Sequence, residues 1–221
     1  MILRRRRFTF LLFLAGLTVW TSCAQLGAIG YYLRPRQIQK PQYEFPADAR
    51  VAVLIEAANP QQENPVFNQA LYERMVDMLR EGKSQAALLP LSKISELRRR
   101  NADFSKWSVQ KIGRELNADQ VLYIKIDSLV IRPTPDHPLL TPEVSLHMKL
   151  VGVQDPSVHA RLWPEAKEGH PVQCKRQVAE AADENPEGPD IEARKLAYDT
   201  AYWTTMPFLE VDLEVNPPVE R

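Results

Sequence analysis

Five consecutive apolar residues, Val51-Ala52-Val53-Leu54-Ile55, constrain the fold of this chain more than any other stretch. Side chains alternate between the two faces of a strand, so an unbroken apolar run needs cover on both. That is the condition of an inner strand in a sheet with helices on either side, not of a sheet with one face in water. The residues that follow can supply such cover. Asn59-Pro60 and Asn64-Pro65 are turn signals. Asn64 can cap a helix, with Pro65 at the first position, where its missing N–H costs nothing. Phe67, Ala70, Leu71, Met75, Met78 and Leu79 then recur at three- and four-residue spacing, one apolar stripe on a helix of about four turns. Gly82 ends that helix in C-terminal style.

The pattern continues in the same manner. Gln85 to Leu89 reads as a second strand, stopped by Pro90. Ser92 caps a brief helix through Arg100. Ser105 caps the next, with Val109, Ile112 and Leu116 inward and Asn117 closing it. Gln120 to Ile131 is a long strand that starts fully apolar (Val121-Leu122-Tyr123-Ile124) and then alternates. Pro133, Pro135, Pro138 and Pro142 mark a stiff loop. Val144, Leu146, Met148 and Leu150 alternate with Ser145, His147 and Lys149, so residues 143–154 form a half-buried strand, antiparallel to 120–131. Leu162-Trp163-Pro164 ends an edge segment, and Pro171 to Val178 is a last strand. After a polar loop at Asn185–Pro189, Asp190 caps a helix to about Thr205, stopped by Pro207. The order β-α-β-α-α-β-β-β-α, with right-handed early crossovers, predicts an α/β fold. Its mixed sheet has about five strands, a parallel start and an antiparallel hairpin, with helices packed on it. No internal repeat is present.

The N-terminus bears on location. Arg4 to Arg7 precede an apolar run from Phe8 to Val19, then Thr21, Ser22 and Cys23. A basic n-region, a short h-region and a small residue before the cut describe a secretory signal peptide. A transmembrane helix needs about 20 apolar residues, and this run offers 12, or 13 with Trp20. A transit peptide would be amphipathic and serine-rich. With a cysteine after the cut, the segment resembles a bacterial lipoprotein signal, although Trp20 stands where Leu is usual. The resemblance implies cleavage after Ser22, lipidation of Cys23 and attachment to a membrane through acyl chains. Plain secretion and an uncleaved anchor are the alternatives. The expected layout is signal peptide 1–22, tether 23–47, one α/β domain 48–210 and a flexible tail 211–221. The tether reading rests on the aperiodic, proline-punctuated stretch Arg34 to Gln42, closed by Pro46.

Charge narrows the partners. The chain has 28 basic and 28 acidic residues; without residues 1–22, which hold four arginines and no acid, 24 face 28, a formal net of −4. A mildly acidic domain lacks the basic face that nucleic acid requires. With Cys23 acylated, Cys174 stands alone.

The opening strand Arg50 to Ile55, the helix Phe67 to Leu79 and the run Ile112-Gly113-Arg114-Glu115-Leu116-Asn117-Ala118-Asp119-Gln120-Val121-Leu122 together resemble a group of envelope proteins. The group comprises the curli-secretion lipoprotein CsgG, the N-terminal domain of TolB and lipoprotein activators of penicillin-binding proteins. The third run looks like that group's helix, Gly-Ala-Asp, strand junction, with Asn117 where Gly is usual, and the segment Asp155 to Trp163 resembles its turn and strand ending in Trp. The likeness spans about residues 50–205 and lies in fold signatures. It implies a lipid-anchored, non-enzymatic module of the cell envelope, on the periplasmic face of the outer membrane more readily than on the inner one. Such a module binds another envelope protein or assembles with itself. No propeller follows the domain, and only the one hairpin 120–154 has the length and alternation that a membrane barrel needs.

Signatures of catalysis are missing from the sequence: no Gly-x-Ser-x-Gly, His-Glu-x-x-His or Gly-x-Gly-x-x-Gly. Gly82-Lys83-Ser84 imitates the end of a phosphate loop but follows a helix instead of opening one. No cofactor is expected. The rival reading is a hydrolase or metal-dependent enzyme in which His159, His170 and Cys174 converge, since imidazole and thiolate suit zinc; a secretion-pore subunit is a third. His137 lies in the proline loop and His147 on a polar strand face. Asp48, Glu56, Asp103 and Asp119 sit at element ends, where capping accounts for them. Candidate partner-binding residues are Trp163 and Trp203, as interface anchors, and Arg98, Arg99 and Arg100, which also complement the dipole of their helix.

Overall fold

The computed structural model describes residues 38–134, 139–154, 160–176 and 188–212. The signal segment, Cys23, His137, His159 and the tail from 213 onward lie outside these. Residues Gln39–Val211 make one compact unit. Strand β1 is Ile38–Gln39 and β8 is Val211–Asp212; the two form a small sheet of their own. The main sheet is built from β2 (Arg50–Ala57), β3 (Ala87–Leu89), β4 (Gln120–Val130), β5 (Glu143–Gly152), β6 (Arg161–Trp163) and β7 (His170–Lys175). Its order is β3-β2-β4-β5-β6, with β7 also paired to β5. Strands β3, β2 and β4 are parallel, and β5 is antiparallel to β4, β6 and β7. This is the expected mixed α/β sheet.

Helix α1 (Pro65–Glu81) joins β2 to β3; α2 (Leu91–Arg100) and α3 (Val109–Glu115) join β3 to β4; α4 (Gly188–Thr205) follows β7. Residues Val51 to Leu54 are at most 1 % exposed, because helices cover both faces of β2. Ala52 and Leu54 pack with Leu89, Ile94, Phe104 and Ile112 under α2 and α3. The opposite face carries Val51 and Val53, and Phe67, Leu71 and Met75 of α1 are fully buried as well; α1 packs along α4. The α2–α3 layer is short. It covers Val121, but farther along β4 Lys125 is exposed, while Tyr123 and Asp127 are half-buried. The change from a continuous apolar run to alternation in β4 is therefore the point where helical cover stops.

Several caps differ from expectation. Asn64 caps α1 as read, accepting from Phe67 N at 3.0 Å. Ser108, not Ser105, caps α3, accepting from Lys111 N at 3.2 Å, while Ser105 lies in a 3₁₀ turn. Pro90 occupies the cap position of α2, so Ser92 does not serve there. Gly82 has φ −76°, and Lys83 takes the left-handed turn at φ 57°. Gly82 serves close approach instead: a Cβ there would lie 2.5 Å from Leu209 Cδ2.

Residues 42–45 depart from the reading of 23–47 as tether. Gln42 N and Tyr43 N donate to Pro207 O at 2.7 and 3.2 Å. Tyr43 and Phe45 pack against each other and against Phe208. Gln120 Nε2 donates to Tyr43 Oη at 2.8 Å. Val211, the first residue of the expected tail, is buried.

Candidate functional site

A crevice of about 520 Å³ opens beside the carboxyl ends of β2 and β3. Open α/β sheets commonly bind ligands at this end of their parallel strands. Its floor is apolar, with Val53 and Ile55 from β2 and Ile94 from α2. Its walls are neutral and polar: Asn68, Gln69 and Tyr72 from α1, Ser92 and Ser95 from α2. Tyr72 Oη donates to Leu89 O at 3.1 Å, and burial raises this phenol above its usual pKa, which keeps it a donor. Asn68 Oδ1 is buried with no hydrogen-bond partner among the described residues. Such an acceptor is costly to leave unmade.

The crevice's charged lining residues, Glu63 and Arg98, neutralise each other. Arg98 Nη1 lies 3.4 Å from Glu63 Oε1, and Nη2 lies 3.6 Å from Glu56 Oε1. Its guanidinium sits over the Phe104 ring, 5.2 Å from the centroid. Sequence reading placed Arg98 in a basic cluster; the structure makes it an internal clamp between β2, α2 and the turn before α1. Arg100 pairs with Glu96 one turn back, and Arg99 is exposed.

Beyond the helical cover, a row of polar side chains crosses the open sheet face. Tyr123 is pushed up to about pH 12, first by burial, then by the charge of Glu56 and a hydrogen bond to it. Lys149 Nζ stands over the Tyr123 ring at 5.0 Å. Burial, then Arg161 and Lys125, hold this lysine below its usual value. His147 Nδ1 lies 2.5 Å from Asp127 Oδ2, and Lys125 Nζ lies 3.2 Å from Asp127 Oδ1. Burial pushes the Asp127 carboxyl up, but the hydrogen bonds and charges of His147 and Lys125 outweigh it, and the net shift is downward.

The remaining expected residues separate. Trp163 is 7 % exposed, packed against His170 and Phe208 with ring centroids 5.0 and 5.1 Å away. Its burial makes it a core residue and not the interface anchor expected from the sequence. Trp203 is half-buried, edge-on to Tyr202 at 5.2 Å. His170 and Cys174 share the inner face of β7 four residues apart, about 13 Å along a strand, and His159 lies outside the described residues. Among the described residues, no three His, Cys, Asp or Glu side chains form a group able to hold a metal. None of the described helices is long and apolar enough to cross a membrane. Sequence reading missed Asn68, Tyr72 and Ser95. They are ordinary polar positions on amphipathic helices, and only the gap between α1 and α2 distinguishes them.

No protein-family model matches the chain, and no curated protein is similar to it in sequence. Among solved structures it is similar to the PelC dodecamer from Paraburkholderia phytofirmans, at 14 % identity and TM-score 0.39 over 79 % of this chain and 97 % of that one. It is similar to lipoprotein GNA1162 from Neisseria meningitidis, at 16 % and 0.36 over 62 % and 84 %. It is similar to the LpoB C-terminal domain from Salmonella enterica, at 14 % and 0.32 over 60 % and 84 %. Solved structures similar to this chain thus include a bacterial lipoprotein, while no family match places it with CsgG or TolB.

Proposed function

We propose that this chain is an exported lipoprotein, anchored through acylated Cys23, whose α/β domain binds another protein of the cell envelope through the crevice between α1 and α2. The observation that carries this reading is the chemistry of the crevice. Its charged groups, Glu63 and Arg98, are spent on each other at 3.4 Å, and what remains is an apolar floor with neutral donors and acceptors around it. An apolar floor with a few neutral polar groups around it is the kind of surface that recognises a partner chain. Proton transfer needs a titratable group free to reach its substrate, and the crevice offers paired ions instead. The N-terminal Arg4–Arg7, apolar run and Cys23 supply the address.

The test is made in cells. A photocrosslinking amino acid is placed at Ser95 or Gln69, and the membrane fraction is irradiated. A discrete crosslinked band, absent when the same probe sits at Asp77 on the outer side of α1, is the expected result. Intact-mass analysis of the native product is expected to show a chain beginning at a triacylated Cys23. A product starting at Met1 without lipid overturns the anchoring; equal crosslinking from both positions overturns the crevice as contact.

A further inference from the structure

The crevice has a shape that its lining alone does not convey. Strand β3 pairs with β2 at Arg50, Val51 and Ala52 only, whereas β4, on the other side, pairs with β2 from Val51 to Ala57. Pro90 then turns the chain off the sheet into α2. On the β3 side, β2 from Val53 onward faces no strand among the described residues.

The hydrogen bonds at the two ends of β2 tell which residues look into this gap. Ala49 O accepts from Ala87 N on the β3 side. Arg50 O accepts from Asp119 N, and Ala58 N donates to Ile126 O, both on the β4 side. Backbone groups alternate in direction along a strand, so odd-numbered residues of β2 turn toward β3. Ile55 therefore turns its backbone groups to the β3 side beyond the last residue of β3, at the crevice, while Val53, on the same side, is fully buried. Buried backbone groups are almost always paired in folded proteins. A second observation agrees: Asn68 Oδ1, buried in the crevice wall, lacks a donor.

We propose that the crevice is a slot for an extended peptide that adds to β2 as a short strand, in line with β3. This rests on reading the crevice as the partner contact and states what chemistry enters it. A strand laid beside Val53–Ala57 spans about 13 Å, four or five residues. One row of its side chains meets Asn68, Gln69 and Tyr72; the other meets Leu91, Ile94 and Ser95. The occupant is therefore a neutral segment alternating small polar and apolar residues. Its main chain supplies affinity and its side chains selectivity, as in other strand additions.

The full-length chain in detergent is titrated with acetyl-Val-Ser-Val-Ser-Val-amide while backbone amide resonances are followed. Saturable binding is expected, with the Ile55 amide among the largest shifts and slowed in hydrogen exchange. The same peptide methylated on alternate backbone nitrogens is expected to bind roughly tenfold more weakly or not at all, since it cannot complete the ladder. Ser95→Trp, on an exposed position that leaves the core intact, is expected to block the slot. Absence of binding at millimolar peptide, an unmoved Ile55 amide, or equal binding of the methylated peptide overturns strand addition. A crosslinked partner from Ser95 with an unmoved Ile55 amide leaves the partner reading standing and defeats this inference alone.

Discussion

Asp127 shows how one residue can depend on its neighbours for its charge. It sits where the sheet loses its helical cover, and burial alone would favour the protonated acid. His147 across the β4–β5 pair and Lys125 on its own strand reverse that. A carboxyl whose folded-state pKa lies below its unfolded value adds stability above the ordinary carboxylate range, and that contribution is lost as pH falls through the folded-state value. His147→Ala removes the stronger partner. The expected outcome is an upward move of the Asp127 pKa in a carbon-13 carboxyl titration and a smaller loss of stability between neutral and acid pH. An unchanged titration in the variant would show that Lys125 alone sets the carboxylate. His147 was legible in the sequence as a polar-face residue. Its pairing with Asp127 was not, because the register at the bulge between Ile126 and Ser128 had to be known.

At the scale of the element, Gly113 is the informative case. Alanine is normally favoured over glycine inside a helix by roughly 0.5–1 kcal/mol. In α3, however, a Cβ at this position would meet Val153 Cγ2 at 2.4 Å and Val121 Cγ2 at 2.8 Å. Both neighbours are β-branched and stiff, so they cannot swing away. Gly113→Ala is expected to lower stability by about 1–3 kcal/mol, the usual cost of overpacking, measured by urea denaturation. A neutral or stabilising result would show that α3 can lift from the sheet. The Gly113 to Asn117 junction was readable as a helix end leading into a strand, and Asn117 does take the left-handed conformation, φ 51°. That Gly113 lies directly over Val121 of β4 and Val153, the residue after β5, was not, since the pattern of one helix does not say which side chains lie beneath it. The same limit explains the shifted caps: Ser105 and Ser108 both suit a cap, and the packing of Phe104 into the core decides for Ser108.

For the molecule as a whole, the boundary of the domain matters most. Tyr43 and Phe45 precede the first strand of the main sheet, yet they pack on Phe208 near the end of the described chain. Trimming the protein to begin at Ala47 removes both half-buried rings and leaves buried Gln120 without its hydroxyl partner. Burial of apolar surface at about 25 cal/mol per Å² and one hydrogen bond of about 1 kcal/mol place the cost near 2–4 kcal/mol. A thermal melt should show the trimmed protein several degrees below one beginning at Lys40. Equal melting temperatures would return residues 42–45 to the tether.

What the sequence determined by itself was the set of elements and their faces. Apolar runs and stripes report burial, and burial is local in its periodicity: Val51 to Ile55 had to lie inside, Phe67 to Leu79 had to cover them, and the hairpin of β4 and β5 had to alternate. What only the tertiary structure decided was which distant residues meet. The early end of β3 at Leu89, the gap it leaves along β2, and the placing of Asn68, Tyr72 and Ser95 around that gap depend on how helices on opposite faces of the sheet flank its edge. No spacing along the chain encodes that arrangement; it follows from side-chain volumes packing in three dimensions.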